Sequence, residues 1–437
     1  MDVYKKRRRA LALAMEPNSI ALLPTAVAQK RNADTEFPFR HDSDFYYLTG
    51  FTEPESILVI TTGTRRGQYQ FFLFVRERDR KQEIWNGRRA GPAGAKRYFG
   101  ADEAYSIDQL DQLLPNLLEN RNSLYYPMGS RPAMDERVIA WRQAVLMKAR
   151  SGVKAPSKVV ALDALVHEMR LFKDATEIAL MRRSAQIAAG AHRRAMQVCR
   201  PGMFEYQLEA EIMHEFLRHG ARAPAYSSIV GSGASTCILH YTENNARISA
   251  GDLVLIDAGA EFNGYASDIT RTFPASGTFS PEQRAVYEVV LAAQRAAIAK
   301  ALPGNRWNDP HDVAVKVLTT GLVKLGLLKG KVSDLILNKA YTPFYMHRTG
   351  HWLGMDVHDV GDYREGERWR TLKPGMVMTV EPGLYISAGT KGVAKRWWNI
   401  GVRIEDDVVI TRKGNEVLTR DCPKEIEEVE RIVASHK

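Results

Sequence analysis

Cysteine is scarce in this 437-residue chain: Cys199, Cys237 and Cys422 are odd in number and widely spaced. That excludes a disulfide framework and a zinc-knuckle pattern. Three thiols fit a reducing compartment, and a cytoplasmic location is expected. Long hydrophobic runs are missing too. No stretch approaches the roughly 18 apolar residues that cross a bilayer, so no membrane partner is expected. The basic cluster Lys5-Lys6-Arg7-Arg8-Arg9 precedes an Ala/Leu-rich run, which Glu16, Pro17 and Asn18 interrupt. It reads as an amphipathic helix rather than a signal peptide. Net charge is +10, yet Lys and Arg lie scattered beside acids and no RNA- or DNA-binding motif appears. Nucleic acid is therefore not an expected partner. Histidine is sparse as well, eleven in all, but His347, His351 and His358 fall within one segment of twelve residues.

What is present is organised around Gly251 to Arg271. Leu253 to Ile256 read as a buried strand ending on Asp257, and Asn263-Gly264 is a two-residue hairpin signal. With that turn Asp257 faces Thr270 across the ladder, and Asp268 projects from the same sheet face as a diagonal neighbour. Gly375 to Gly383 repeats the layout: a Gly, a hydrophobic strand, an acid six residues on (Glu381) and a Gly two residues later. Each copy is followed by a second acid, Asp268 in the first and Glu405 in the second. The pattern is that of a duplicated unit whose halves each offer two carboxylates to a shared centre.

Read in order, residues 1–172 form a mixed α/β domain. Strands are expected at Ser56–Thr61, Tyr69–Val75 and Leu124–Tyr126, and helices at Val3–Met15, Ile107–Glu119 and Met134–Lys148. Gly87 to Gly100 holds four Gly and a Pro and is expected to be a loop, with Trp85 at its entrance. Asp174-Ala-Thr-Glu177 then opens a second domain, 173–437, with a capping box. Its first helix closes at Pro201-Gly202, and a second runs Glu205–His219. Ser280-Pro281 starts another reaching about Leu302, and one more spans His311–Leu325. Helices, hairpin, helices, hairpin is an α+β arrangement with pseudo-twofold symmetry.

Asp257, Asp268, Glu381, Glu405 and one His make four hard oxygen donors and an imidazole. Four carboxylates brought together would be intolerable without cations, so two divalent metal ions are expected, with Mn²⁺ favoured by the oxygen-rich set. Such a pair can share a hydroxide and polarise a carbonyl, which points to metal-assisted hydrolysis. His347 and His351 have the spacing of a helical zinc motif, but Arg348 replaces the Glu that motif needs and Gly350 argues for a loop.

The same five residues resemble the ligand set of the pita-bread metallopeptidases. The motifs Asp44-Phe-Tyr-Tyr-Leu-Thr-Gly-Phe51, Ile84-Trp85-Asn-Gly-Arg-Arg89, Ile229-Val-Gly-Ser-Gly233 and His240-Tyr-Thr-Glu-Asn244 extend the likeness. Within that group the whole chain, from the Arg7-Arg8-Arg9 helix onward, resembles the bacterial Xaa-Pro aminopeptidase (aminopeptidase P) family. The resemblance implies a pita-bread catalytic domain after an N-terminal domain of the creatinase/aminopeptidase P type. It implies that Asp257 chelates one metal, that Asp268 and Glu405 bridge, and that His351 and Glu381 complete the other shell. His240, His347, His358 and Arg403 match positions that shape the pocket and stabilise the tetrahedral intermediate, and Glu381 would relay a proton. Tyr385, Asp34 and Trp85 match substrate-site positions, Trp85 reaching a neighbouring subunit of a dimer or homotetramer. The implied reaction removes the N-terminal residue from peptides with proline second, by attack of a metal-bridging hydroxide. Prolidase, the related Xaa-Pro dipeptidase, and a non-catalytic peptide-binding module of the same fold are the alternatives.

Overall fold

The computed structural model describes residues 2–435. The chain gathers into two compact units that divide between Met169 and Arg170. In the first, six strands make one sheet: β1 (Ile20–Pro24), β2 (Ile57–Thr62), β3 (Tyr69–Val75), β4 (Glu103–Ser106), β5 (Ser123–Tyr125) and β6 (Lys158–Val160). They lie in the order β4-β3-β2-β1-β5-β6. The centre of the sheet is antiparallel and its flanks parallel. β2 is buried along its whole length and β3 along its last five residues, as near-continuous apolar strands require. β1 escaped the sequence reading because a short Ile-Ala-Leu-Leu run carries no period that separates strand from helix.

Gly87 to Gly100 is not the expected loop. Gly91–Phe99 is a helix with Pro92 in its first turn and Gly94 and Ala95 buried, packed on β3 and β4. The small residues allow the helix to lie close to the sheet, and that packing outweighs the intrinsic cost of glycine.

The second unit begins with the helices Ala175–Val198 and Glu205–Arg218. Reciprocal capping boxes at Asp174 and Ser280 both form. The helix from Pro281 ends at Ile298 rather than near Leu302, because Pro303 pushes the residue before it out of helical conformation. The helix Asp309–Lys324 follows.

Strand β7 (Ile229–Ser232) pairs with β8 (Leu253–Asp257), which runs through β9 (Ala260–Phe262), β10 (Tyr265–Ala266) and β11 (Thr270–Pro274) as one long hairpin. Asn263 (φ 50°) and Gly264 (φ 79°) take the left-handed conformations that the turn requires. Phe262 pairs with Tyr265, and the same register carries on to place Asp257 opposite Thr270. Gly259 has no room for a side chain: a Cβ would lie 1.7 Å from the Ser267 carbonyl oxygen.

The second hairpin comprises β12 (Val377–Val380), β13 (Gly383–Ile386), β14 (Ile400–Arg403) and β15 (Asp406–Ile410). Val380 lies opposite Asp406 and Gly383 opposite Arg403, so the continuing register sets Glu381 against Glu405. Gly251 and Gly375, which lead into the two hairpins, share φ values of 90° and 93°. The repeat in sequence is thus a repeat in conformation. One apolar core packs the first hairpin on the helices Ala175–Val198, Glu205–Arg218 and Pro281–Ile298; another gathers Trp307, Trp352, Met378 and Val408 around the second.

Candidate metal centre and active site

The two hairpins bring four carboxylates together where each ladder is interrupted. Asp257 ends β8 and Asp268 precedes β11; Glu381 follows β12 and Glu405 precedes β15. The Tyr226 hydroxyl lies 2.5 Å from Oδ1 of both Asp257 and Asp268, which puts the two on one side of the sheet. One hydroxyl proton cannot serve two carboxylates at once, so the metal-free arrangement calls for a further proton. Burial, and next the charge of Asp257, raise Asp268 well above the ordinary aspartate range. Burial and the charge of Asp268 do the same to Glu405. Glu381 is pushed up to about 8, first by burial and then by Glu405. These are the marks of a cluster whose acids outnumber the nearby cation.

His351 is set for ligation. Its Nδ1 lies 2.9 Å from the Trp352 carbonyl, which can only accept, so Nδ1 carries the hydrogen. Nε2 is then the atom turned to the acids, 3.3 Å from Asp268 and 3.8 Å from Glu381. A ring nitrogen anchored to a carbonyl while the other faces acids is the usual pose of a metal-binding imidazole. Asp268, His351 and Glu405 offer ligand atoms all within 4.8 Å of one another. Oxygen-rich and mutually repelling, with only His351 half-buried, this set fits divalent cations.

A single guanidinium ties the halves together. Arg403, 3% exposed, donates to Asp257 Oδ2 at 2.6 Å, to Thr270 Oγ1 at 3.1 Å and to the Tyr385 hydroxyl at 3.1 Å. Thr270 in turn donates to Glu405 at 2.6 Å. The Tyr385 hydroxyl lies 2.8 Å from His347 Nε2, and His347 Nδ1 is 2.7 Å from the Arg348 carbonyl. Nδ1 therefore carries the hydrogen, and the bonds run one way, from Arg403 through Tyr385 to His347. Burial, reinforced by the charge of Arg403, lowers His347 to about 3, so it stays neutral. His358 packs edge-on against His351 with ring centres 4.3 Å apart, and it too is lowered by burial and by His351.

These groups open into a cavity of about 820 Å³, lined entirely by the second unit. Asp257, Asp268, Glu381, Glu405, His240, His347, His351, His358 and Arg403 all line it. Tyr385 is not among them: it is 2% exposed and sits behind His347 and Arg403. Asp34 and Trp85 belong to the first unit and do not line the cavity. Asp34 is exposed in a turn, and Trp85 stands 83% exposed near the end of the helix Arg80–Asn86.

Several supporting residues were invisible in sequence. Tyr226 lies outside every motif and is found only through its contacts. In the sequence Thr270 is legible as a register partner of Asp257, not as the link between Arg403 and Glu405. Arg271, fully buried, donates to the Glu405 carbonyl and to Asp406, and Asp407 accepts the Asp268 backbone N–H. Their only sequence signal is charge inside strands that should be apolar.

Comparison with known proteins identifies the family. Residues 179–412 match the model of metallopeptidase family M24, and residues 4–125 that of the aminopeptidase P N-terminal domain. The Xaa-Pro aminopeptidase of Escherichia coli K12 is 47% identical over 432 residues, covering 99% of this chain and 97% of that protein. Among solved structures, the Pseudomonas aeruginosa aminopeptidase PepP superposes with a TM-score of 0.97 at 55% identity, covering 99% of this chain and 97% of that one. Proline aminopeptidase P II from Yersinia pestis gives 0.97 at 48% identity, covering 99% of each. The chain belongs to metallopeptidase family M24 and is an aminopeptidase P-type member of it.

Proposed function

We propose that this protein is a Xaa-Pro aminopeptidase holding two divalent ions, Mn²⁺ by preference, among Asp257, Asp268, His351, Glu381 and Glu405. The observation that carries the reading is the convergence of three buried carboxylates, the half-buried Glu381 and one oriented imidazole on the floor of a peptide-sized cavity. The bound ions would polarise the scissile carbonyl and activate water near neutral pH. The chain's own groups would do the rest. Glu381, ionised once bound cations offset the neighbouring acids, would take the proton of the attacking water and pass it to the proline nitrogen. His358 and His240 would donate to the developing oxyanion. Arg403 would hold Asp257 in place, and through Tyr385 would fix the ring of His347 beside the proline.

An X-Pro bond has no N–H and a fixed φ near −65°, so a site that reads only the carbonyl and the ring suits it. Relatives matching over nearly the full length are named as Xaa-Pro aminopeptidases, which favours this reading over prolidase. The test compares Xaa-Pro-Yaa with Xaa-Ala-Yaa and with the dipeptide Xaa-Pro. Equal kcat/KM for the first two would sink the proline specificity, and a strong dipeptide preference would make the enzyme a prolidase.

We further propose a cytoplasmic dimer or tetramer in which Trp85 reaches a neighbouring active site. Free cysteines at 199, 237 and 422 and the neighbouring exposed pair Ile84 and Trp85 support it. No helix among the described residues is long and apolar enough to cross a membrane. A fully active monomer by light scattering at assay concentration would refute the assembly.

A further inference from the structure

The rim of the cavity carries two guanidinium groups that the proposed reaction does not use. Residues 364–369 form a small hairpin in which Arg364 pairs with Trp369. The Arg364 guanidinium lies 3.9 Å from the centre of the Trp369 ring, and that of Arg348 lies 5.0 Å from it. All three side chains line the cavity. Among the described residues both cations have only neutral hydrogen-bond partners: Arg364 donates to the Glu367 carbonyl at 3.0 Å, and Arg348 to the Asn308 side-chain oxygen. Neither takes part in an ion pair among the described residues. The neighbouring Arg370 differs: it is buried and lies 3.6 Å from Glu365. The charge of Arg348 also contributes, after burial, to holding His311 down at about 4.

A guanidinium resting on an indole face is partly dehydrated and keeps its edge N–H donors free and oriented. That edge matches the two oxygens of a carboxylate. The acids on the cavity floor are taken up by the proposed metal centre, which leaves the rim cations without an ion-pair partner among the described residues. Trp307 and Tyr363, 4.7 Å apart, add an apolar wall for the stem of such a group. We infer that Arg348, Trp369 and Arg364 form a carboxylate subsite, which makes this enzyme select peptides bearing an acidic group. The inference rests on the Xaa-Pro reading above. The carboxylate has two sources: the side chain of the released N-terminal residue, or a group downstream of the proline, including the free C-terminus of a short peptide.

Three matched pairs separate the sources: Asp-Pro-Yaa-amide against Asn-Pro-Yaa-amide, Ala-Pro-Asp-amide against Ala-Pro-Asn-amide, and Ala-Pro-Ala as free acid against amide. At least one acidic member should be cleaved with kcat/KM about tenfold higher, the scale of one charge-assisted bond. That preference should shrink to about twofold or less in the Arg348→Gln/Arg364→Gln double variant, and should weaken with added salt. All pairs equal in the unaltered enzyme, which needs no variant to fold, would overturn the subsite. So would a preference that survives the double substitution. Failure to cleave any Xaa-Pro peptide would instead overturn the reaction assignment. Calorimetric titration of the same pairs would then read the subsite directly, equal affinities again refuting it.

Discussion

Replacing Arg403 by Met should cost this protein stability in a pH-dependent way. The side chain is buried and donates to Asp257, Thr270 and Tyr385; Met keeps its bulk and removes every one of those bonds. Breaking a buried ion pair from one side costs about 3–5 kcal/mol, or a fall in Tm of roughly 10 °C for a unit of this size. The sign with pH follows from the neighbours. Arg403 lowers the pKa of Asp268, Glu381 and Glu405, so its loss raises all three further. A carboxylate whose folded pKa is raised keeps its stability below its unfolded value, near 4.5 for Glu381. It loses that stability as pH climbs through the folded value, already about 8 before the substitution. In metal-free protein the carboxyl part of the deficit should therefore be small at about pH 7 and should widen only as pH rises past about 8 towards about pH 9, where the parent's Glu381 is ionised and the variant's is not yet. Urea unfolding of metal-free Arg403→Met and parent at both pH values measures it. A difference under about 1 kcal/mol at about pH 9, or one that does not change between the two pH values, would refute the reasoning.

Chelation should abolish peptide hydrolysis, with Mn²⁺ restoring it best; full activity in dialysed, metal-free enzyme would contradict a metal mechanism. Asp268→Ala should lose metal stoichiometry, because the proposed bridging carboxylate serves both ions; two tightly held ions by mass spectrometry would contradict that role. Tyr226→Phe should leave the fold intact yet change metal affinity by about tenfold, the scale expected when a partner of a ligand is removed, and an unchanged calorimetric Kd would count against its bridging position. Gly259→Ala should fail to yield folded protein, since the added carbon would fall 1.7 Å from the Ser267 oxygen; near-parental Tm would show that the hairpin can open there.

The sequence alone determined what depends on neighbours along the chain. Asn263-Gly264 demands positive φ at two successive residues, and that local need sets the register that faces Asp257 with Thr270. The capping boxes at Asp174 and Ser280 and the repeated Gly-strand-acid-Gly layout were legible for the same reason. Tertiary structure decided the rest. No periodicity announces that Arg403 reaches Asp257, 146 residues away, or that Tyr226 sits against two acids of a hairpin beyond it. Nor could composition show that Gly91–Phe99 would form a helix, since the sheet that favours it comes from other segments. Backbone turns and caps are settled within a few residues, whereas a buried charge can be placed only by the groups that the whole fold gathers around it.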